Sequence, residues 1–275
     1  MKPEKAILPA WAAGEFAGTF LLVFFGCGSV ASAVLLGSQA GIVGIALVWG
    51  LGIATAIYLT ADLSGAHLNP AVTLTLASWN GFSWRRVPGY FFVQFLGAFA
   101  ASAVLYVAFS GALAGFEKAH GLVRGETGSE ASAMIFGEYF PNPGGLPMTE
   151  AARAVVPPAT AFFVEFTGTA VLTLVILSVT NRRNSSRPGV LTAATIGLTI
   201  TLLISLFAPL TMAGFNPARD FAPRLFSALA GWGRIPFETN GTGWFTVYIL
   251  APFAGGWFGG LIYRVLLHPY YLSDI

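Results

Sequence analysis

The chain has 275 residues, 55% of them hydrophobic and only 9% charged, with a net charge of +2. Soluble domains carry about 25% charged residues, so this composition excludes a soluble enzyme, a disordered chain and a nucleic-acid binder. The small net charge exerts no pull on polyanions, and the single Cys27 lies in an apolar run and offers no internal disulfide.

From Phe16 to Ala61 there is no Asp, Glu, Lys or Arg. A membrane span takes about 20 apolar residues, so this stretch predicts two, broken at Gly37-Ser38-Gln39-Ala40-Gly41. The first run continues past Glu15 for a full span without a cleavage-type ending, which argues against a removed signal peptide. Leu63 to Trp79 is apolar but too short to cross. It opens with turn residues and then Asn69-Pro70-Ala71. Val87 to Phe116 predicts a third span. The segment from about 111 to 156 is rich in Gly and Pro and longer than a connection requires, which predicts a partly folded loop outside the membrane. Pro158 to Thr180, carrying Glu165, predicts the fourth span and Gly189 to Thr211 the fifth. Ala213 to Ala230 is a second short segment, with Asn216-Pro217-Ala218, and Gly243 to Leu267 predicts the sixth span.

Asn at the N-cap with Pro at the first helical position starts a helix. Each short segment therefore predicts a half-length helix beginning at its Asn. Irregular backbone at membrane depth is tolerated only where it lines a cavity or is covered by protein. Six spans put both termini on one side. Lys2, Lys5, Arg85, Arg86, Arg182, Arg183, Arg187 and Arg264 fall on that side, with Lys118, Arg124, Arg153 and Arg234 on the other. Positive charge marks the cytoplasmic side, so both termini are expected in the cytoplasm and the chain in the cell membrane. Gly89, Gly97 and the glycines at 255, 256, 259 and 260 predict close helix packing.

The halves repeat. Gly14-Glu15-Phe16-Ala17-Gly18-Thr19 is similar to Val164-Glu165-Phe166-Thr167-Gly168-Thr169, and the acids precede Asn69 and Asn216 by 54 and 51 positions. Three spans per half is odd, so the second half is expected inverted. The expected fold is an all-α membrane protein with six transmembrane helices and two re-entrant half-helices. It forms one domain over 1–275, with inverted repeats at about 8–115 and 157–270. Such repeats place their site near the midplane, where broken helices meet.

Ser64-Gly65-Ala66-His67-Leu68-Asn69-Pro70-Ala71-Val72-Thr73 and Gly214-Phe215-Asn216-Pro217-Ala218-Arg219-Asp220 resemble the two signature loops of the major intrinsic protein, or aquaporin, family, and the resemblance covers essentially the whole chain. It implies a homotetramer with one pore per subunit. It implies that the carbonyls of Gly65, Ala66, His67, Leu68, Ala213, Gly214 and Phe215 form an acceptor ladder, and that Trp49, Ile204, Ala213 and Arg219 wall the outer constriction. Asp220 with Arg224, Tyr139-Phe140-Pro141-Asn142-Pro143 and the long outer loop are similar to the glycerol-facilitator branch. That branch usually has a second aromatic in place of Ala213 and a small residue in place of Ile204. The set Trp, Ile, Ala and Arg looks more like the plant nodulin-like intrinsic proteins, which pass glycerol and other small neutral solutes.

The chemistry fits such a pore. Two half-helix tips, each about +0.5 charge, repel cations, while Asn69 and Asn216 offer amide donors to an uncharged oxygen. A charge at the depth of Arg219 costs at least about 2.5–3.5 kcal/mol unless hydrated or paired, so it is expected to face water, where its fork holds two hydroxyls. Trp49 offers an apolar face to C–H groups. Asp220 and Arg224 stand at i and i+4 and are expected to brace the loop. Glu15 and Glu165, as intramembrane acids, are functional candidates. They are expected to brace the two loops, with a proton relay as the other reading. His67 has no second ligand nearby and is expected to pack rather than bind metal. No nucleophile–base set, metal spacing or phosphate loop is present, so no enzyme and no cofactor are expected. The expected activity is passive passage of glycerol and similar small neutral solutes, with some water and without ions or protons. The alternatives are a water-selective pore and a proton-coupled transporter.

Overall fold

The computed structural model describes residues 7–38 and 41–272. Lys2, Lys5 and the Gln39-Ala40 part of the first break lie outside the described residues. Among the described residues, six helices are long and apolar enough to cross a membrane: Ala10–Leu36, Gly41–Ser64, Trp84–Ala108, Pro158–Thr180, Gly189–Thr211 and Gly243–Leu267. The third run ends earlier than its apolar stretch. α4 (Val87–Ala108) stops at Phe109, and a separate helix covers Ser110–Ala119. Apolar counting cannot register this break, because Phe109 is itself hydrophobic.

Local chemistry sets the other ends. α1 (Ala10–Leu36) stops at Gly37, whose φ of 62° is left-handed and whose N–H bonds Ala33 O. α2 (Gly41–Ser64) runs into the first signature loop. The half-helix α3 (Pro70–Trp79) follows, with Asn69 as N-cap and Pro70 at the first position.

The segment from 110 to 156 folds as short helices, among them α5 (Ser110–Ala119), α6 (Glu130–Ala133) and α7 (Glu150–Val155). Leu113, Phe136 and Tyr139 of this segment share one apolar cluster with Val30 and Ala31 of α1 and with Trp232. Arg124 clamps it. The guanidinium lies 2.8 Å from Glu117, donates to Tyr106 Oη at 2.9 Å and sits 4.1 Å from the Trp232 ring. The buried Glu130 carboxylate accepts from Gly128 N and Met148 N. Then come α8 (Pro158–Thr180), α9 (Thr192–Thr211), the half-helix α10 (Pro217–Ser227) and the sixth span.

Packing follows the repeat. α1 packs on α2 and α4, and α8 packs on α9 and the sixth span. α2 against α9 joins the halves. A Cβ at Gly97 would stand 2.4 Å from Phe16 O, and one at Gly255 would stand 2.1 Å from Phe166 O, at equivalent places in the two halves. Small residues there let helices approach backbone to backbone. Gly50 and Gly197 do the same across the junction, each facing the other's carbonyl.

Candidate functional site

The two half-helices meet tip to tip, and their N-caps show how. Asn69 Oδ1 accepts from Ala71 N at 2.8 Å, and Asn216 Oδ1 accepts from Ala218 N at 3.0 Å and Arg219 N at 3.2 Å. Each amide nitrogen reaches the opposite loop. Asn69 Nδ2 donates to Phe215 O at 2.8 Å, and Asn216 Nδ2 donates to Leu68 O at 2.9 Å. A side-chain amide has two N–H groups, so this crossed pair leaves each Asn one donor. Both Asn residues line one cavity.

The loops entering the tips are held open by buried acids. Glu15 accepts from His67 N at 2.9 Å and Leu68 N at 2.8 Å. Glu165 accepts from Gly214 N at 3.0 Å and Phe215 N at 2.7 Å. Gln94 adds a donor to Glu15 and Thr211 one to Glu165. Three residues past each acid, a glycine makes room for the residue before the Asn. A Cβ at Gly18 would stand 2.3 Å from the Leu68 side chain, and one at Gly168 would stand 2.0 Å from the Phe215 ring. The repeated Glu-Phe-x-Gly is thus one device: carboxylate on the loop amides, gap for the loop side chain.

The loops turn left-handed at Ala66, Leu68, Ala213 and Phe215, with φ between 49° and 62°. Non-glycine residues hold such angles only where their surroundings enforce them. Among the described residues no hydrogen bond reaches the carbonyls of Gly65, Ala66, His67, Ala213 or Gly214, and all five residues line the cavity. His67 Nδ1 lies 3.1 Å from Thr73 Oγ1, and its ring packs against Phe82 and Tyr90. Among the described residues no group of three His, Cys, Asp or Glu is placed to hold a metal.

The cavity has a volume of about 780 Å³ and runs from Tyr58, Asp62 and Asn80 past both Asn residues to Trp49, Ile204, Ala213 and Arg219. The guanidinium carbon of Arg219 lies 4.4 Å from the Trp49 ring centroid. Sequence reasoning has these two residues as separate walls, whereas the structure puts them in contact. Arg219 Nη1 donates to Phe136 O at 3.0 Å, and Nε lies 2.9 Å from Glu138 Oε1. Asp220 pairs with Arg224 at 2.8 Å, and Arg224 also donates to the carbonyls of Pro236 and Glu138. That pair therefore joins α10 to the outer loop.

Sequence reasoning does not reach Phe136 or Glu138. The available signal is that Glu138 is the sole charged residue between Glu130 and Glu150, next to the Tyr139–Pro143 segment. It is fully buried.

The sequence is similar to a glycerol uptake facilitator protein of Pseudomonas aeruginosa, 43% identical over 255 residues, covering 92% of this chain and 87% of the relative. A propanediol uptake facilitator of Salmonella typhimurium is 38% identical over 261 residues, covering 94% of each. The X-ray structure of the aquaglyceroporin from Plasmodium falciparum is similar at a TM-score of 0.80 and 30% identity, covering 95% of this chain and 98% of the other. Residues 6–263 match the family described as major intrinsic protein. With six membrane-crossing helices and two half-helices meeting at their Asn-Pro-Ala tips, the chain is an integral multi-pass membrane protein and belongs to the major intrinsic protein family.

Proposed function

We propose that the chain is a passive channel for glycerol and other small uncharged solutes, with some water permeability, that excludes ions and protons. The observation that carries this reading is the lining of the cavity. It offers an aromatic face, the Ile204 side chain and, in Leu22, Ile53 and Leu172, further apolar surface. It also offers Arg219, unpaired carbonyls and the two Asn amides. A polyol has C–H groups on one side and hydroxyls on the other, and this lining matches both.

A solute sheds water at Trp49 and Arg219 and donates its hydroxyls to the carbonyls of 65–68 and 213–215. It accepts from Asn69 and Asn216 at the tips. The converging positive helix ends disfavour cations there. Each amide already donates to a loop carbonyl, so it orients a passing oxygen without offering a proton acceptor. Glu15 and Glu165 spend their oxygens on backbone amides, which supports bracing over a proton relay.

The assembly we propose is a homotetramer in the cell membrane, with both termini cytoplasmic. Support for this orientation comes from Arg85, Arg86, Arg182, Arg183, Arg187 and Arg264, all exposed at the span ends and connecting segments assigned to one side. The test is stopped-flow light scattering of reconstituted vesicles in a glycerol gradient. Glycerol entry many times faster than in empty vesicles is expected. Equal rates would remove the reading, and fast water movement with retained glycerol would turn it to a water-selective pore.

A further inference from the structure

Among the described residues, six charged side chains lie buried around the half-helix tips. Glu15 and Glu165 face loop N–H groups at the positive helix ends. Asp220 is held by Arg224. That leaves Arg219, whose one ionic partner among the described residues is Glu138.

We propose that Glu138 is a specificity-determining residue of the channel: its carboxylate cancels the charge of Arg219, so that the constriction excludes anions as well as cations. The proposal rests on the reading of the cavity as a solute path. Two helix tips of about +0.5 each already favour a negative charge at the centre of the pore. An uncompensated guanidinium in the adjoining wall would deepen that well, because charges act strongly where water is scarce. The carboxylate on the Nε side removes the net charge and leaves N–H groups on Nη1 and Nη2 for solute oxygens.

The position of Glu138 is built. Its N–H donates to Asp220 Oδ1 at 2.8 Å, and its carbonyl accepts from Arg224 Nη2. Its Oε2 fills the space over Gly214, where a Cβ would stand 1.9 Å away. Neither carboxylate oxygen has a hydrogen-bond donor among the described residues, so the contact with Arg219 is what compensates it. Burial, the larger influence, holds the Glu138 carboxyl well above the usual carboxylate range, although the Arg219 guanidinium lowers it. The guanidinium stays charged, and its Nε, 2.9 Å from Glu138 Oε1, stabilises the carboxylate form. Glu138→Gln is neutral and nearly isosteric, and would change nothing if the carboxyl were already protonated.

The test compares wild type, Glu138→Gln, Glu138→Asp and Arg219→Gln in vesicles, with glycerol, chloride and sodium fluxes read from the same batches. Glu138→Gln is expected to raise chloride leak roughly tenfold over wild type, and Glu138→Asp to stay tight. Arg219→Gln, which leaves the carboxylate alone, is expected to leak sodium in preference to chloride. A Glu138→Gln pore that carries glycerol yet is as chloride-tight as wild type overturns the proposal. Should that variant fail to fold, Arg219→Gln decides: a glycerol-conducting pore that leaks no sodium, or more chloride than sodium, overturns it too. Wild-type vesicles no faster than empty ones would instead remove the channel reading itself.

Discussion

Arg219 and Trp49 touch: the guanidinium carbon lies 4.4 Å from the indole ring centroid, with both side chains buried. A cation over an aromatic face gains about 0.5–1 kcal/mol when exposed and about 2 or more when desolvated. The guanidinium and the indole therefore hold each other in place. Trp49→Ala should open the gap and free the guanidinium together. Uptake of a five-carbon polyol, relative to glycerol, is expected to rise about tenfold in vesicles. An unchanged ratio would place the constriction elsewhere.

Arg219→Ala has a second consequence, because it strands Glu138. Leaving one member of a buried pair without its partner costs about 3–5 kcal/mol. The variant should melt well below wild type in detergent and discriminate poorly among polyols and ions. The double variant Arg219→Ala/Glu138→Ala removes the stranded charge and should recover part of the stability without recovering selectivity. Wild-type discrimination in the single variant would defeat the assignment.

Gly168 tests the loop geometry. A Cβ there meets the Phe215 ring at 2.0 Å, and overpacking of this kind costs about 1–3 kcal/mol. Gly168→Ala should lower both melting temperature and glycerol flux. Gly168→Ala/Phe215→Leu, which shortens the obstructing side chain, should restore much of both. A Gly168→Ala protein indistinguishable from wild type would show that the loop yields easily.

How far such contacts can be read from a sequence depends on how local they are. The spans were legible because apolar length is a local property, and the half-helices because Asn-Pro at a helix start is a local signal. The Glu15 and Glu165 contacts could be reached because the repeat supplies each as a check on the other. Phe109, where the third run breaks, and the touch between Trp49 and Arg219 were not legible. Nor was Glu138, whose partner lies on a distant half-helix and which has no counterpart in the other half to repeat it.

Glu15 and Glu165 separate a pore from a pump. Their oxygens accept charge-assisted hydrogen bonds from loop amides, each worth about 1.5–3 kcal/mol. Glu165→Gln should therefore reduce stability and the yield of folded channel, and flux should fall in proportion to that yield. Neither wild type nor variant should accumulate glycerol against its gradient when a pH step is imposed. Uphill uptake abolished by Glu15→Gln would instead make the acids a relay.

The proposed channel makes Ile204 the residue to test for the choice between polyol and water. Ile204 lines the same cavity as Arg219 and presents only hydrocarbon. Carbon-bound hydrogens of a polyol lose nothing against such a wall, whereas a narrower polar wall would leave them facing unsatisfied donors. Water-selective members of the family typically have His at this place. Ile204→His should add a donor and ring bulk where the polyol backbone passes. Glycerol permeability is expected to fall about tenfold or more, since a site with unpaired buried polar groups rejects solutes that cannot satisfy them. Water permeability should change far less, because a water molecule is small and can bond to the introduced imidazole, to Arg219 and to the loop carbonyls in turn. Paired osmotic and glycerol-gradient measurements on one vesicle preparation give the ratio directly. If both permeabilities fell equally, the variant would be blocking the pore rather than selecting within it, and Ile204 would lose its place in the constriction.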